Sequence, residues 1–293
     1  MSSQRPVAYG ILCTQNPVHS TDYMNSEREN SLSSSTASTL AARLQQFRAS
    51  VPLNSLQLGK HTWTYYETGD PSEEALLLLH GSGGTAETMF RYIEGFGANF
   101  HVVAPNLPAS ISQLGDAVAG LQALLQHIGI QKAHVIGFSF GAMLAQMFVR
   151  RFPDAVLDLI LTHTMIPSEH LAERANMQRA LIAFYPEALL LWLSRRSFRS
   201  NLQKSRTPAP EPDRAFWQGY FAELYNNGYR KRDILARSRL TCQFHVENQF
   251  STKDLNRWNG NLLLIESSAD EVIEEGDRGA LKGMYPQAYV QTL

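Results

Sequence analysis

The chain has 293 residues, 44% of them hydrophobic, which is enough to bury one large core or a core with an appended cap. Basic and acidic side chains nearly cancel, 26 against 27, so no overall field favours nucleic acid or an anionic membrane, and neither is an expected partner. Only Cys13 and Cys242 occur, far apart and without ligand spacing, which argues against a disulfide framework or a zinc site. A cytoplasmic setting with no metal and no cofactor is the expectation.

Residues 1–50 read as a solvated tail ending in a short helix. The apolar run at 7–13 is short and lacks a cleavage pattern, so no signal peptide is expected, and residues 25–39 are too polar to bury. No apolar stretch approaches the ~18 residues that span a bilayer.

From residue 51 the pattern becomes that of a folded domain. Residues 56–58 and 62–67 predict an antiparallel hairpin turning at Gly59, and 75–79 is an apolar run suited to a strand covered on both faces. It ends in His80-Gly81-Ser82-Gly83-Gly84. Helical spacing over 85–95, a strand at 101–104 and an amphipathic helix over 112–127 follow, with Leu114, Val118, Leu121 and Leu125 on one face. Next come an elbow strand and helix, then a strand at 156–161. Strands alternating with helices predict a mostly parallel sheet with helices on both faces. Over 165–257 helical patterns take over, predicting a helical cap inserted after the sixth strand. The core resumes at 258–293 with a strand at 261–266, a helix over 274–284 and a last strand at 288–292, so the core comprises 51–164 and 258–293.

The chemistry concentrates at Gly137-Phe138-Ser139-Phe140-Gly141, where an apolar strand turns sharply into an apolar-striped helix. A serine hydroxyl is a poor nucleophile at neutral pH, and such a turn holds it clear of the backbone at a helix N-terminus. The two glycines have a steric reason, because side chains there would collide across the turn. A Walker loop would need a lysine that the 80–86 segment lacks, and a dinucleotide fingerprint would need another glycine spacing.

These motifs, in this order, resemble the α/β-hydrolase superfamily over about 51–293. The resemblance implies Ser139 as nucleophile, and the backbone N–H groups of Ser82 and Phe140 as the oxyanion hole. It implies Asp270, after the seventh strand, as the acid that orients a histidine, with Asp277 a weaker alternative. The family's histidine follows the eighth strand, usually as Gly-His, and the family closes with a helix. Neither stands before Leu293, so an incomplete chain with its final helix missing is expected. His163, after the sixth strand, is a weak substitute for the base, and His245, inside the cap, is more remote still. His80 is expected to be structural. The implied function is hydrolysis of an ester, thioester or similar acyl bond in a small molecule, through an acyl-enzyme on Ser139.

Short stretches, residues 47–53, 84–87, 238–241 and 285–288, are similar to maspardin-like members of the superfamily. That branch is associated with protein binding, so the alternative is a catalytically impaired binding or adaptor protein with a protein partner.

Overall fold

The computed structural model describes residues 39–204, 211–268, 270 and 273–293, and the expected tail before residue 39 lies outside them. Among these residues eight strands form one sheet: β1 (Leu53–Leu58), β2 (His61–Thr68), β3 (Ala75–Leu79), β4 (His101–Asn106), β5 (Ala133–Phe138), β6 (Val156–Thr162), β7 (Leu262–Glu266) and β8 (Tyr289–Thr292). Their order is β1-β2-β4-β3-β5-β6-β7-β8. β1 and β2 pair antiparallel, as do β2 and β4, and every other pairing is parallel. The parallel pairings require crossover connections. The helices among these residues are α1 (Leu40–Ser50), which precedes β1, and then α2 (Phe90–Phe96), α3 (Leu114–Ile128), α4 (Phe140–Arg151), α5 (Glu169–Phe184), α6 (Glu187–Lys204), α7 (Glu211–Asn227), α8 (Lys231–Val246) and α9 (Glu275–Met284).

The period of two along each strand divides the core between the sheet's faces. Leu77, Leu79, Val135, Leu161 and Leu264 pack with Val118, Leu121 and Leu125 of α3 and Phe148 of α4. Their neighbours Leu76, Leu78, Ile136, Ile160 and Leu263 pack on the other face with Phe90 and Ile93 of α2. All five residues of β3 are buried, as a strand covered on both faces must be. This core carries the C-terminal ends of β3, β5, β6 and β7 to one edge, where Leu79 pairs with Gly137 and Phe138 with Thr162.

The packed fold starts before residue 51. α1 buries Leu44 and Phe47 in the second cluster, and Phe47 lies 4.9 Å from the Tyr66 ring. The Arg48 guanidinium adds two hydrogen bonds to Glu87, at 2.8 and 2.7 Å, and an ion pair with Glu223 of α7 at 3.1 Å. A stripe of three large apolar residues, Leu40, Leu44 and Phe47, in a polar segment gives a short helical signal without naming its partners, and tertiary contacts hold the helix.

Helices α5 to α8 form the insertion between β6 and β7. α7 seats on the body through Phe216 and Trp217, whose rings lie 6.1 and 6.2 Å from Phe90. β8 is exposed along its whole length. No helix among the described residues is long and apolar enough to cross a membrane.

Candidate active site

Ser139 joins β5 to α4 with φ 52° and ψ −113°, a backbone conformation that non-glycine residues rarely adopt. Its N–H stays on the β6 ladder, donating to the Thr162 carbonyl at 2.9 Å, while its side chain is turned out into a cavity of about 320 Å³. Both glycines are needed for this turn. A Cβ at Gly137 would lie 2.5 Å from Ala142 Cα, and one at Gly141 only 2.1 Å from the Leu79 carbonyl oxygen. The strand, the elbow and the preceding 80s loop are thus in backbone contact.

That loop runs alongside the serine: a Cβ built on Gly81 would sit 3.7 Å from Ser139 Cβ. Ser82 and Phe140, the two expected oxyanion donors, line the cavity with Ser139. Phe140 is the first residue of α4, so its N–H has no intrahelical acceptor. The insertion holds the loop from the other side through three successive carbonyls. The Tyr229 hydroxyl donates to Ser82, the Tyr225 hydroxyl to Gly83 at 3.2 Å, and Arg237 Nη2 to Gly84 at 3.4 Å. These bonds also fix the N–H groups of the following residues, Gly83, Gly84 and Thr85, which share the same peptide planes.

Tyr229→Phe is expected to loosen this loop. The anticipated result is a stability loss of about 1 kcal/mol, read by urea unfolding.

The remaining residues are distributed as follows. His80 is buried and its Nδ1 bonds the Gly81 carbonyl at 2.8 Å, a structural role within the loop. His163 sits at the end of β6 with φ 50°, its Nδ1 2.6 Å from Thr162 Oγ1, and is not among the residues lining the cavity. Asp270 follows β7, where its Oδ1 accepts from the Ile273 N–H at 3.0 Å, and it does not line the cavity either.

His245, expected to be remote because it lies inside the cap, does stand on an inserted helix but faces the Ser139 cavity. It lies in the last turn of α8, 5% exposed, and lines the same cavity as Ser139. Its Nδ1 has no hydrogen-bond partner among the described residues. Burial pulls its pKa down to about 4, against the opposing field of the Asp277 carboxylate. Sequence reasoning also missed Tyr229 and Arg237. A usable signal was present: Ile234, Arg237, Ser238, Thr241 and His245 recur on one face of α8, and Leu171, Arg174, Ala175, Gln178 and Ile182 recur likewise on α5.

Two buried neutral histidines make the fold sensitive to acid. Burial, with the Arg237 charge adding to it, lowers His80 to about 3, and burial lowers His245 to about 4. Both folded values lie below the ordinary 6.5, so the unfolded chain takes up protons first as pH falls. Stability present above about pH 6.5 is therefore lost on acidification, by about 1.4 kcal/mol per pH unit for each histidine, until the folded value is reached. The thermal midpoint should fall steadily from about pH 6.5 to about 4.5, and less steeply in His245→Gln; a flat profile would contradict this environment.

The geometry is that of a strained strand-to-helix turn beside a glycine-rich loop, and the family model for the alpha/beta hydrolase fold matches residues 74–292. The chain belongs to that family. It is 29% identical over 149 residues to a probable proline iminopeptidase of Streptomyces coelicolor, a match covering 45% of this chain and 46% of that one. It is 33% identical over 107 residues to human maspardin, covering 35% of this chain and 34% of the relative. The chain thus spans about half the length, or less, of these curated relatives. Among solved structures, a hydrolase from Pseudomonas aeruginosa superimposes with a TM-score of 0.67 at 15% identity, over 82% of this chain and 89% of that chain. A 2-hydroxy-6-oxo-6-phenylhexa-2,4-dienoate hydrolase from Rhodococcus superimposes with a TM-score of 0.63 at 20% identity, over 83% and 91%. At these identities the structures share the fold.

Proposed function

We propose that the chain is a serine-dependent hydrolase of an ester, thioester or similar acyl bond in a small molecule. The observation that carries the reading is the strained Ser139, turned into a cavity whose wall includes Ser82 and Phe140. In the first step Ser139 Oγ attacks the acyl carbon and its proton passes to a base. The N–H groups of Ser82 and Phe140 donate to the developing oxyanion, an arrangement in which each donor is worth roughly 3 kcal/mol of barrier. The tetrahedral intermediate collapses, the leaving group departs with a proton, and water then hydrolyses the acyl-serine.

The family resemblance assigns a histidine beyond β8 as the base and Asp270 as its orienting acid. Among the described imidazoles, His245 shares the cavity with Ser139, and its low pKa leaves it neutral at neutral pH but a weak base. The carboxylate whose field reaches it is that of Asp277.

The second reading, a binding or adaptor protein that keeps the fold, is favoured by the similarity to maspardin. Trapping separates the two. Mixing the chain with 4-nitrophenyl butyrate and quenching in acid should give a butyryl adduct on Ser139 by peptide mass mapping. Recovery of the folded chain unmodified would favour the adaptor.

A further inference from the structure

Arg237 is 4% exposed, lines the Ser139 cavity, and has no carboxylate partner among the described residues. Its Nη1 reaches the Asp233 carbonyl at 3.2 Å and its Nη2 the Gly84 carbonyl at 3.4 Å, while its buried Nε has no acceptor among those residues. The guanidinium lies 5.0 Å from the Tyr229 ring centroid, which gives it a packing surface and no counter-charge. A cation withdrawn from water is costly unless something anionic meets it.

The rest of the cavity repeats the same sign. Arg174 of α5 adds a second guanidinium, and among the described residues no aspartate or glutamate lines the cavity. Arg174 is exposed and Arg237 is buried, so positive charge stands both toward solvent and inside. This asymmetry is invisible in the whole chain, whose charges nearly cancel. The Nε–H and the adjoining Nη2 edge of a guanidinium present parallel donors that match the two oxygens of a carboxylate.

We infer that the Ser139 cavity takes an acyl compound bearing a carboxylate, and that Arg237 is the residue that binds this carboxylate, with Arg174 assisting its entry. This rests on the reading that the Ser139 cavity is the substrate cavity. The buried cation is compensated when the anion is in place, and an uncharged acyl compound of the same shape leaves it uncompensated. Arg237 thereby sets specificity, and because the same side chain also touches the 80s loop at Gly84, binding of the carboxylate bears on the loop that supplies the oxyanion donors.

The test is direct binding to the full chain of monomethyl glutarate, an ester with a free carboxylate, against dimethyl glutarate, its neutral counterpart, by isothermal titration calorimetry. Monomethyl glutarate should bind at least tenfold tighter. Arg237→Gln should bring the two affinities within about twofold, Arg237→Lys should retain part of the preference, and Arg174→Gln should weaken it less than Arg237→Gln does. Equal affinities on the unsubstituted chain would overturn the inference without any variant, as would a preference that survives Arg237→Gln.

Binding is independent of turnover, so the two proposals fail separately. Acylation of Ser139 with no preference for the half-ester overturns the carboxylate site alone. A preference abolished by Arg237→Gln, on a chain whose serine cannot be acylated, upholds the carboxylate site and overturns the hydrolase reading.

Discussion

The Ser139→Ala chain is expected to turn over an activated ester at least ~10³-fold more slowly than the unsubstituted chain, with its fold intact. The reason is local. Two glycines, a strand end and a helix start are arranged so that one serine lines the cavity, and alanine keeps the turn while deleting the proposed nucleophile. The backbone supplies an independent check. At φ 52° and ψ −113° Ser139 occupies a conformation that costs roughly 1–3 kcal/mol for a residue with a Cβ, and glycine adopts it freely. Ser139→Gly should therefore stabilise the chain by about 1 kcal/mol in urea unfolding while abolishing turnover. A turn kept for packing alone would gain nothing from a strained serine. A gain in stability joined to loss of activity marks strain held for function.

The largest effect on stability is expected at Gly141. An added Cβ would stand 2.1 Å from the Leu79 carbonyl oxygen and 2.8 Å from that of His80, and both contacts are with backbone. No rotamer change relieves them. The elbow helix would have to separate from β3, opening the junction where the two core clusters meet the sheet edge that carries Ser139. Gly141→Ala is expected to cost about 4 kcal/mol or more, or to prevent accumulation of folded protein. Gly219, inside α7 and with nothing within 4 Å of an added Cβ, is the control. Gly219→Ala should stabilise by about 0.5–1 kcal/mol, since helix propensity is all that changes. Similar losses at both glycines would mean that the close approach at Gly141 is not what limits stability.

The parts of the fold that could be read ahead were those set by local pattern. The apolar run 75–79 and the sequence from His134 to Phe148 state their strands and helix within a few residues, because burial on both faces demands unbroken apolar stretches. The elbow turn followed from steric need at Gly137 and Gly141, whereas the donor role expected of the 80s loop came from the family resemblance alone. What escaped depended on packing across long separations. α1 is tied to the body by Phe47 and Arg48 through Tyr66 and Glu87, partners that no periodicity identifies. His245 stands far beyond Ser139 along the chain yet shares its cavity, because the insertion folds back over the sheet edge. The polar residues at helical spacing on α8 were visible, but only tertiary structure shows which way that stripe faces.

Reaction of the folded chain with a fluorophosphonate, followed by mass mapping of the modified peptide, asks whether Ser139 is an activated nucleophile. A single adduct on Ser139, absent from Ser139→Ala and blocked by an excess of an acyl substrate, is the expected result. A folded chain that takes up no label, beside a serine hydrolase control that does, would contradict it.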